Sequence, residues 1–295
     1  MSKNIDRPAI LVTGANGQLG SELRVLSVES PYQFVFTDIG ELDLTRKDDV
    51  FEFFSGQNFD FCINCAAYTA VDKAESDRDL AYKINALAVE NLALACEANQ
   101  TTLIHISTDF VFDGRAFSPL NEDDDPKPIS IYGQTKLDGE KLALATCTRT
   151  LILRTSWLYS TFGNNFVKTM LRLAETRPEL NVVFDQVGTP TYAADLAKVI
   201  VGIIEIGAAS GLEDKFGIYH YSNEGMASWY DFAKAIFEEK NVSIIVNPIL
   251  TSGYPLPAKR PPFSVMDKSK IKTVFGFDIP HWRESLRVCL SKMEK

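Results

Sequence analysis

Ala9-Ile10-Leu11-Val12-Thr13-Gly14-Ala15-Asn16-Gly17-Gln18-Leu19-Gly20 decides the fold class. The first five residues are a short run rich in β-branched side chains and lack polar alternation, which predicts a strand buried on both faces. The glycines at 14, 17 and 20 follow at once, and Ser21-Glu22-Leu23-Arg24-Val25-Leu26 then reads as helix. A strand, a glycine turn and a helix in that order suit a dinucleotide. The glycines give a tight turn, close backbone approach to a pyrophosphate, and close helix–strand packing. The spacing is Gly-x-x-Gly-x-x-Gly, so its weight comes from its place between strand and helix.

Working outward, Gln33–Thr37 is a second strand that delivers Asp38, eighteen residues past Gly20. A carboxylate there accepts hydrogen bonds from an adenosine ribose diol and repels a 2′-phosphate. Asp38 therefore favours NADH slightly over NADPH, with Arg24, Arg46 and Lys47 as the basic residues able to reach a 2′-phosphate. Asp43-Leu44-Thr45 opens a helix, with Thr45 expected as N-cap and Asp48 in the capping-box position. Residues 59–64 and 102–107 are further buried strands, and 79–99 is a helix between them whose apolar residues face the sheet. Ser107-Thr108-Asp109 ends the later strand at the edge where such sheets bind ligands. His105, inside that strand, reads as a core or capping histidine.

Tyr132-Gly133-Gln134-Thr135-Lys136 begins a helix running to about Thr146. Residues four apart share a helix face. A phenol titrates near ~10, and an adjacent ammonium favours the phenolate, so the pair is expected to make a neutral-pH acid. Beyond it come a strand at 151–159, a helix at 164–175, and short strands at 181–184 and 188–192. A helix at 194–206, a strand at 218–222, a helix at 228–240 with Ser228 as N-cap, a strand at 244–246 and a final helix at 281–293 complete the chain.

Six strand–helix alternations predict an α/β fold: a doubly wound, parallel, Rossmann-like sheet. The expected division is a dinucleotide-binding domain over 1–160, with a return at about 194–210. A smaller, discontinuous α/β substrate domain is expected over 161–295.

Composition narrows the function. The 295 residues are 45% hydrophobic and 23% charged, ordinary for a globular chain. A net charge of −9 argues against nucleic acid or an anionic membrane as partner. The longest apolar stretch, 199–209, is interrupted by Glu205 and is too short to span a bilayer. Met1 to Pro8 carries no apolar signal core, so a cytoplasmic protein is expected. The five cysteines are odd in number and scattered, as in a reducing compartment. Cys62-x-x-Cys65 has no second pair or nearby histidine, so both read as buried strand cysteines and no metal is expected. The acidic run Asn121 to Asp125 reads as solvated loop.

Four motifs together carry a resemblance. Gly14-x-x-Gly17-x-x-Gly20, Asn64-Cys65-Ala66-Ala67, Ser107-Thr108-Asp109 and Tyr132-x-x-x-Lys136 resemble the extended short-chain dehydrogenase/reductases. Ala66 to Glu75, Ser107 to Gly114, Arg154-Thr155-Ser156-Trp157 and Arg260-Pro261-Pro262-Phe263-Ser264 resemble the members acting on sugar nucleotides. The resemblance spans nearly the whole chain. It implies hydride transfer from NADH or NADPH to the C4 ketone of a dTDP-linked 4-keto-6-deoxyhexose. Tyr132, Lys136 and Thr108 are then the catalytic residues, with Tyr132 the proton donor and Lys136 on the nicotinamide ribose. The implied cofactor contacts are Gly14, Asn16, Gly17, Gln18, Leu19 and Gly20 in the turn, and Asp38, Asp43 and Leu44 after the second strand. Ala66, Ala67, Tyr68, Thr69, Tyr132 and Lys136 complete them. Thr108, Asp109, Trp157 and Arg260 are the implied substrate contacts, Arg260 as a diphosphate clamp.

Some relatives dimerise through magnesium. Glu22 matches one ligand position, but Ala194 stands where another acid belongs, so a monomer or an unbridged homodimer is expected. Two other readings stay open: a 4-epimerase or 4,6-dehydratase on the same scaffold, and a non-catalytic regulatory subunit like that of methionine adenosyltransferase. Phe110, where dehydratases carry Glu, weighs against elimination.

Overall fold

A computed structural model describes residues 7–293, and the expectation for a leader at 1–6 lies outside them. In chain order the elements are β1 (Ala9–Thr13), α1 (Gln18–Ser27), β2 (Gln33–Thr37), α2 (Lys47–Ser55), β3 (Phe61–Asn64), α3 (Val71–Ala74), α4 (Arg78–Tyr82), α5 (Ala88–Ala98) and β4 (Thr102–Thr108). Then follow α6 (Ile131–Thr146), β5 (Thr150–Thr155), β6 (Leu158–Tyr159), α7 (Phe166–Ala174), β7 (Glu179–Val183), β8 (Val187–Gly188), β9 (Thr191–Tyr192) and α8 (Ala193–Ser210). The last are β10 (Gly217–His220), β11 (Ala227–Ser228), α9 (Trp229–Glu239), β12 (Ile245–Ile249), α10 (Ser269–Phe275) and α11 (Trp282–Lys292).

Six strands form one sheet in the order β2-β1-β3-β4-β5-β10. Every pairing in it is parallel, as the alternation predicts. The chain leaves β1 toward β2 on one side and returns to β3 on the other, so the strand order reverses between β1 and β3. Ligands of open α/β sheets bind outside the strand ends at such a point. Two cores sandwich the sheet. Ile10, Val12, Ile63, Ile104 and Leu153 pack with α1 and α8 on one side. Leu11, Cys62, Leu103 and Ile152 pack with α2 and α5 on the other. Cys62 lies in β3 and is buried in the second core, while Cys65 follows the strand, is only partly buried and packs against the first; both thiols are free. A third core joins α7, α9 and α11 to β7 and β12.

Four local expectations are corrected. Thr45 does not cap α2, which starts at Lys47 with no side-chain cap; its hydroxyl donates to Asp43 Oδ1 at 2.7 Å in a local turn. The expected strand 151–159 breaks where Trp157 takes φ of 45°, and Leu158–Tyr159 pairs with Thr191–Tyr192 instead. The segment 188–192 divides at Pro190 into β8 and β9, which join different sheets. The helix expected over 79–99 carries a π-helical segment at Lys83–Leu87. It turns Asn85 inward, where the amide bonds both Tyr68 backbone groups and Thr135 Oγ1. Ser228 does cap α9, in a reciprocal box with Asp231. Among the described residues no helix is long and apolar enough to cross a membrane.

Gly139 sets how closely α6 approaches the π segment, because a Cβ there would fall on the Asn85 carbonyl oxygen. In an exposed helix, Gly→Ala stabilises by roughly 1 kcal/mol. Here the backbone clash decides the sign. Gly139→Ala is expected to destabilise by about 2 kcal/mol or more, read as a lower urea midpoint; a higher midpoint contradicts the packing.

Candidate active site

A cavity of about 780 Å³ opens at the strand-order reversal and runs along the carboxyl ends of β1, β3, β4 and β5. Gly14 has φ of +64°, and a Cβ there would stand 2.5 Å from the Ala66 backbone nitrogen. The two strand ends meet with no side chain between them, which leaves the crevice floor as bare backbone. Helix α1 starts at the crevice with Gly17 as N-cap and no side chain on its first amides. Those N–H groups and the helix dipole favour an anion such as a pyrophosphate. At the far side Asp38 lines the cavity. Its Oδ2 accepts the Asn16 amide and its Oδ1 the Ile39 amide, both at 2.9 Å. The carboxylate thus also ties the glycine turn to β2. Of the basic residues near it, Arg24 lies over the Phe36 ring, Arg46 pairs with Asp49 and Lys47 lies over the Phe51 ring. These features fit a nicotinamide dinucleotide.

Of the residues expected from sequence, the cavity wall includes Gly14, Gly17, Gln18, Leu19, Asp38, Asp43, Leu44, Ala66, Ala67 and Thr69. It also includes Thr108, Asp109, Tyr132, Lys136, Trp157 and Arg260. Three expected contacts fall outside it. Gly20 packs beneath the turn on Ala15. Asn16 is exposed and offers its amide to Asp38. Tyr68 turns its hydroxyl to Asp77 at 3.0 Å.

Helix α6 presents Tyr132 and Lys136, capped by Ser130 Oγ, which accepts the Gly133 amide at 3.1 Å. Lys136 is 2% exposed, and its Nζ donates to the Ile106 carbonyl at 2.7 Å and meets His105 Nε2 at 3.2 Å. The expected depression of the phenol by the lysine does not appear. Burial pushes Tyr132 up to about 12, although its hydrogen bond with Thr108 pulls the other way. Burial likewise drives Lys136 down to about 8, against the pull of Glu140 and Cys65. Desolvation penalises both charged forms, so the ligand-free site favours a neutral phenol.

Beside the phenol, three buried polar atoms lack partners: Ser107 Oγ, Asp109 Oδ2 and Thr155 Oγ1. All three residues line the cavity. Orphaned buried polar atoms are costly and mark a place where a polar ligand completes the bonding. Thr108 Oγ1 donates to Asp109 Oδ1 at 3.1 Å. Trp157 stacks face to face on Trp229, ring centroids 3.5 Å apart, and both line the cavity. Trp229 escaped sequence reading because its partner lies 72 positions away and neither residue belongs to a spacing pattern. Arg260 is held by Asp72, NH2 to Oδ2 at 2.7 Å and NH1 to Oδ1 at 3.0 Å. That pair pins the proline-rich segment over the crevice, and the guanidinium is not free for a diphosphate while it lasts. Glu22 is buried and accepts from the Ser160 hydroxyl at 2.6 Å. Among the described residues no cluster of acids, histidines or cysteines is placed to hold a metal.

Burial raises the Asp109 carboxyl to about 6. A carboxyl raised on folding costs stability when ionised, above the folded value, and costs nothing once neutral in both states. Asp109→Asn is therefore expected to stabilise the fold at pH 8 by on the order of 3 kcal/mol. The gain should decline as pH falls through 6 and vanish near ~4; thermal melts at several pH values would show it, and a gain independent of pH contradicts the assignment.

The chain matches the family model described as the RmlD substrate binding domain over residues 8–295. It is 44% identical over 286 residues to the dTDP-4-dehydrorhamnose reductase of Aggregatibacter actinomycetemcomitans, covering 94% of this chain and 97% of that one. The crystal structure of a dTDP-4-dehydrorhamnose reductase from Clostridium acetobutylicum superposes with a TM-score of 0.93 at 43% identity, over 97% of this chain and all of that one. A Bacillus anthracis dTDP-4-dehydrorhamnose reductase solved in complex with NADP superposes at 0.90 with 39% identity, over 97% and 99% of the two chains. With the match extending over the glycine turn, the buried Tyr132–Lys136 helix and the Arg260 segment alike, the chain belongs to the RmlD family, that of the dTDP-4-dehydrorhamnose reductases.

Proposed function

We propose that this chain reduces the C4 ketone of dTDP-4-dehydro-L-rhamnose to the alcohol of dTDP-L-rhamnose, using NADH or NADPH. The observation that carries the reading is a buried phenol beside unpartnered polar atoms, at the end of a crevice shaped for a dinucleotide. A bound nicotinamide supplies the hydride. The chain's own residues do the rest. Tyr132 keeps its proton on Oη at neutral pH, because burial holds the phenol near 12. As negative charge grows on the ketone oxygen, that oxygen becomes more basic than a phenolate, and Tyr132 donates to it. A donor aimed at charge that develops only during reaction lowers the barrier without tightening ground-state binding.

Thr108 is the second donor to the same oxygen, its hydroxyl leaving Asp109 or the phenol to do so. Ser107, Asp109 and Thr155 fit the sugar hydroxyls, and the Trp157–Trp229 stack offers an apolar wall to the hexose ring. Lys136 suits the nicotinamide ribose. Arg260 meets the diphosphate by exchanging Asp72 for phosphate oxygens, a like-for-like trade of bidentate anions. This reading includes a division of the chain into a dinucleotide-binding part and a substrate part, a division that the placement of these residues supports. Phe110, packed edge-on against Tyr132 at 5.4 Å, provides no acid for elimination of water, which favours reduction over dehydration.

Oxidation of NADH or NADPH that depends on added dTDP-4-dehydro-L-rhamnose tests the reading, and a mixture inert with either cofactor overturns it. Tyr132→Phe is expected to lower kcat by at least ~100-fold while cofactor affinity stays within about threefold, as loss of a general acid requires; unchanged turnover removes Tyr132 from the role. Asp38→Ala should reduce the ratio of kcat/KM for NADH over NADPH by roughly tenfold, the scale of one charge contact. An unchanged ratio would mean that Asp38 serves only the glycine turn.

A further inference from the structure

A proline-rich strap, Tyr254 to Ser264, passes over the crevice and places Arg260 in its wall. The strap is fixed at both ends. Before it, Asp185 Oδ1 accepts the Thr251 amide at 2.8 Å and the Thr251 hydroxyl at 2.7 Å. Toward its end, the Val187 amide donates to the Pro262 carbonyl and the Ser264 amide to the Val187 carbonyl, both at 2.8 Å. Between these anchors Tyr254 and Leu256 are 55% and 40% exposed. Among the described residues, every hydrogen bond from 255–260 to another segment ends on Asp72. Its Oδ1 accepts the Ala258 amide at 3.2 Å and Arg260 NH1 at 3.0 Å, and its Oδ2 accepts Arg260 NH2 at 2.7 Å.

The two sides of this latch are unequally held. Asp72 lies in α3, whose Ala74 is fully buried in a cluster with Tyr132. Glu75, which closes α3, accepts the Ile131 amide at the start of α6 at 2.9 Å. Breaking the pair therefore frees the strap and leaves α3 in place. Lys73, the cation next along α3, is paired with Asp77 at 3.1 Å. The hydrogen bonds from Arg260 hold the Asp72 carboxyl below the ordinary carboxylate range, so it faces the crevice as an anion. A guanidinium offers one planar fork, and a carboxylate gripping both its ends leaves no matching edge for a phosphate.

We propose that Asp72 is a specificity-determining residue, a built-in rival of the substrate's diphosphate that holds Arg260 and the strap while the crevice is empty and yields them to a ligand bearing phosphates. The apparent affinity of such a ligand is reduced by the fraction of molecules in which Arg260 is free. With side chains 22% and 36% exposed, the pair is part-solvated, and a latch of that kind favours the closed form by about fivefold. A ligand that does not reach Arg260 escapes the competition. When product leaves, the same carboxylate takes the guanidinium back.

The inference deepens the reductase reading and rests on it only for a nucleoside diphosphate at this end of the crevice. Calorimetry with dTDP, the dinucleotide site filled by NADP+, tests the rivalry, and hydrogen exchange of the ligand-free protein tests the latch. Asp72→Asn should tighten dTDP by about fivefold and leave thymidine, which has no phosphate, unchanged. Arg260→Gln should weaken dTDP by at least about tenfold. Both variants should speed amide exchange in peptides covering 254–260 by at least about threefold. Opposite signs on affinity with one sign on exchange are what competition for a single guanidinium demands. Unchanged dTDP binding in Asp72→Asn, or equal tightening of thymidine, overturns the proposal. Weaker dTDP binding there also overturns it, since Asp72 would then orient Arg260 for the ligand. Unchanged exchange in both variants means that the pair does not hold the strap. If dTDP binds neither the wild type nor Asp72→Asn, there is no ligand for Asp72 to oppose and the proposal fails. Binding that follows the expected pattern in a protein that reduces no sugar would sink the reductase reading and leave the latch standing.

Discussion

The whole arrangement depends on the bare contact between Gly14 at the end of β1 and the Ala66 backbone at the end of β3. Any side chain at position 14 would push the strand ends apart or close the crevice between them. Because the strand order reverses there, helices from both sides of the sheet diverge and leave room for a ligand. The carboxyl ends of β4 and β5 extend the same edge, so Thr108 and Thr155 arrive beside the turn as strand ends, and Trp157 follows β5 through a left-handed turn, φ of 45°. Helix α6 then needs only to lie against β4 to bring Tyr132 and Lys136 over it.

Within that crevice burial governs charge more than pairing does. The phenol is raised and the amine lowered, each by loss of water. An ammonium a few ångströms away would depress a phenol if both were charged, but the closest polar partners of Lys136 are a carbonyl and an imidazole, not the tyrosine. The ligand-free site thus keeps the phenol protonated, as the proposed donation to a forming alkoxide requires. Neutral polar groups in a dry site need little reorganisation as charge develops, which is how such groups assist a reaction. Glu140, although paired with Arg154 in a buried salt bridge, pulls the amine the other way, and burial outweighs it.

The sequence carries the features whose causes are local. The strand–glycine–helix run, Asp38 after β2, and the one-turn spacing of Tyr132 and Lys136 are each written within a few residues, and the parallel sheet follows from their alternation. Features made by partners far apart in the chain were not legible. The Trp157–Trp229 stack, the Asp72–Arg260 pair and the Asn64–His105–Lys136 chain join elements that only the fold brings together. His105 read as an ordinary core histidine because nothing nearby in sequence says what its two nitrogens face. Thr45 failed as a cap because Asp43, two residues earlier, competes for its hydroxyl. The π segment was invisible because its cause, Asn85 reaching Tyr68 and Thr135, spans three elements.

Reduction at C4 differs from epimerisation or mere binding in where the hydrogen ends up. The most direct measurement uses NADH or NADPH carrying two deuterium atoms at nicotinamide C4, with dTDP-4-dehydro-L-rhamnose, and examines the sugar by NMR and mass spectrometry. This account requires one deuterium at C4 of the product 6-deoxyhexose, with one equivalent of cofactor oxidised per sugar. A product without deuterium at C4, or cofactor that is bound but never consumed, would contradict it.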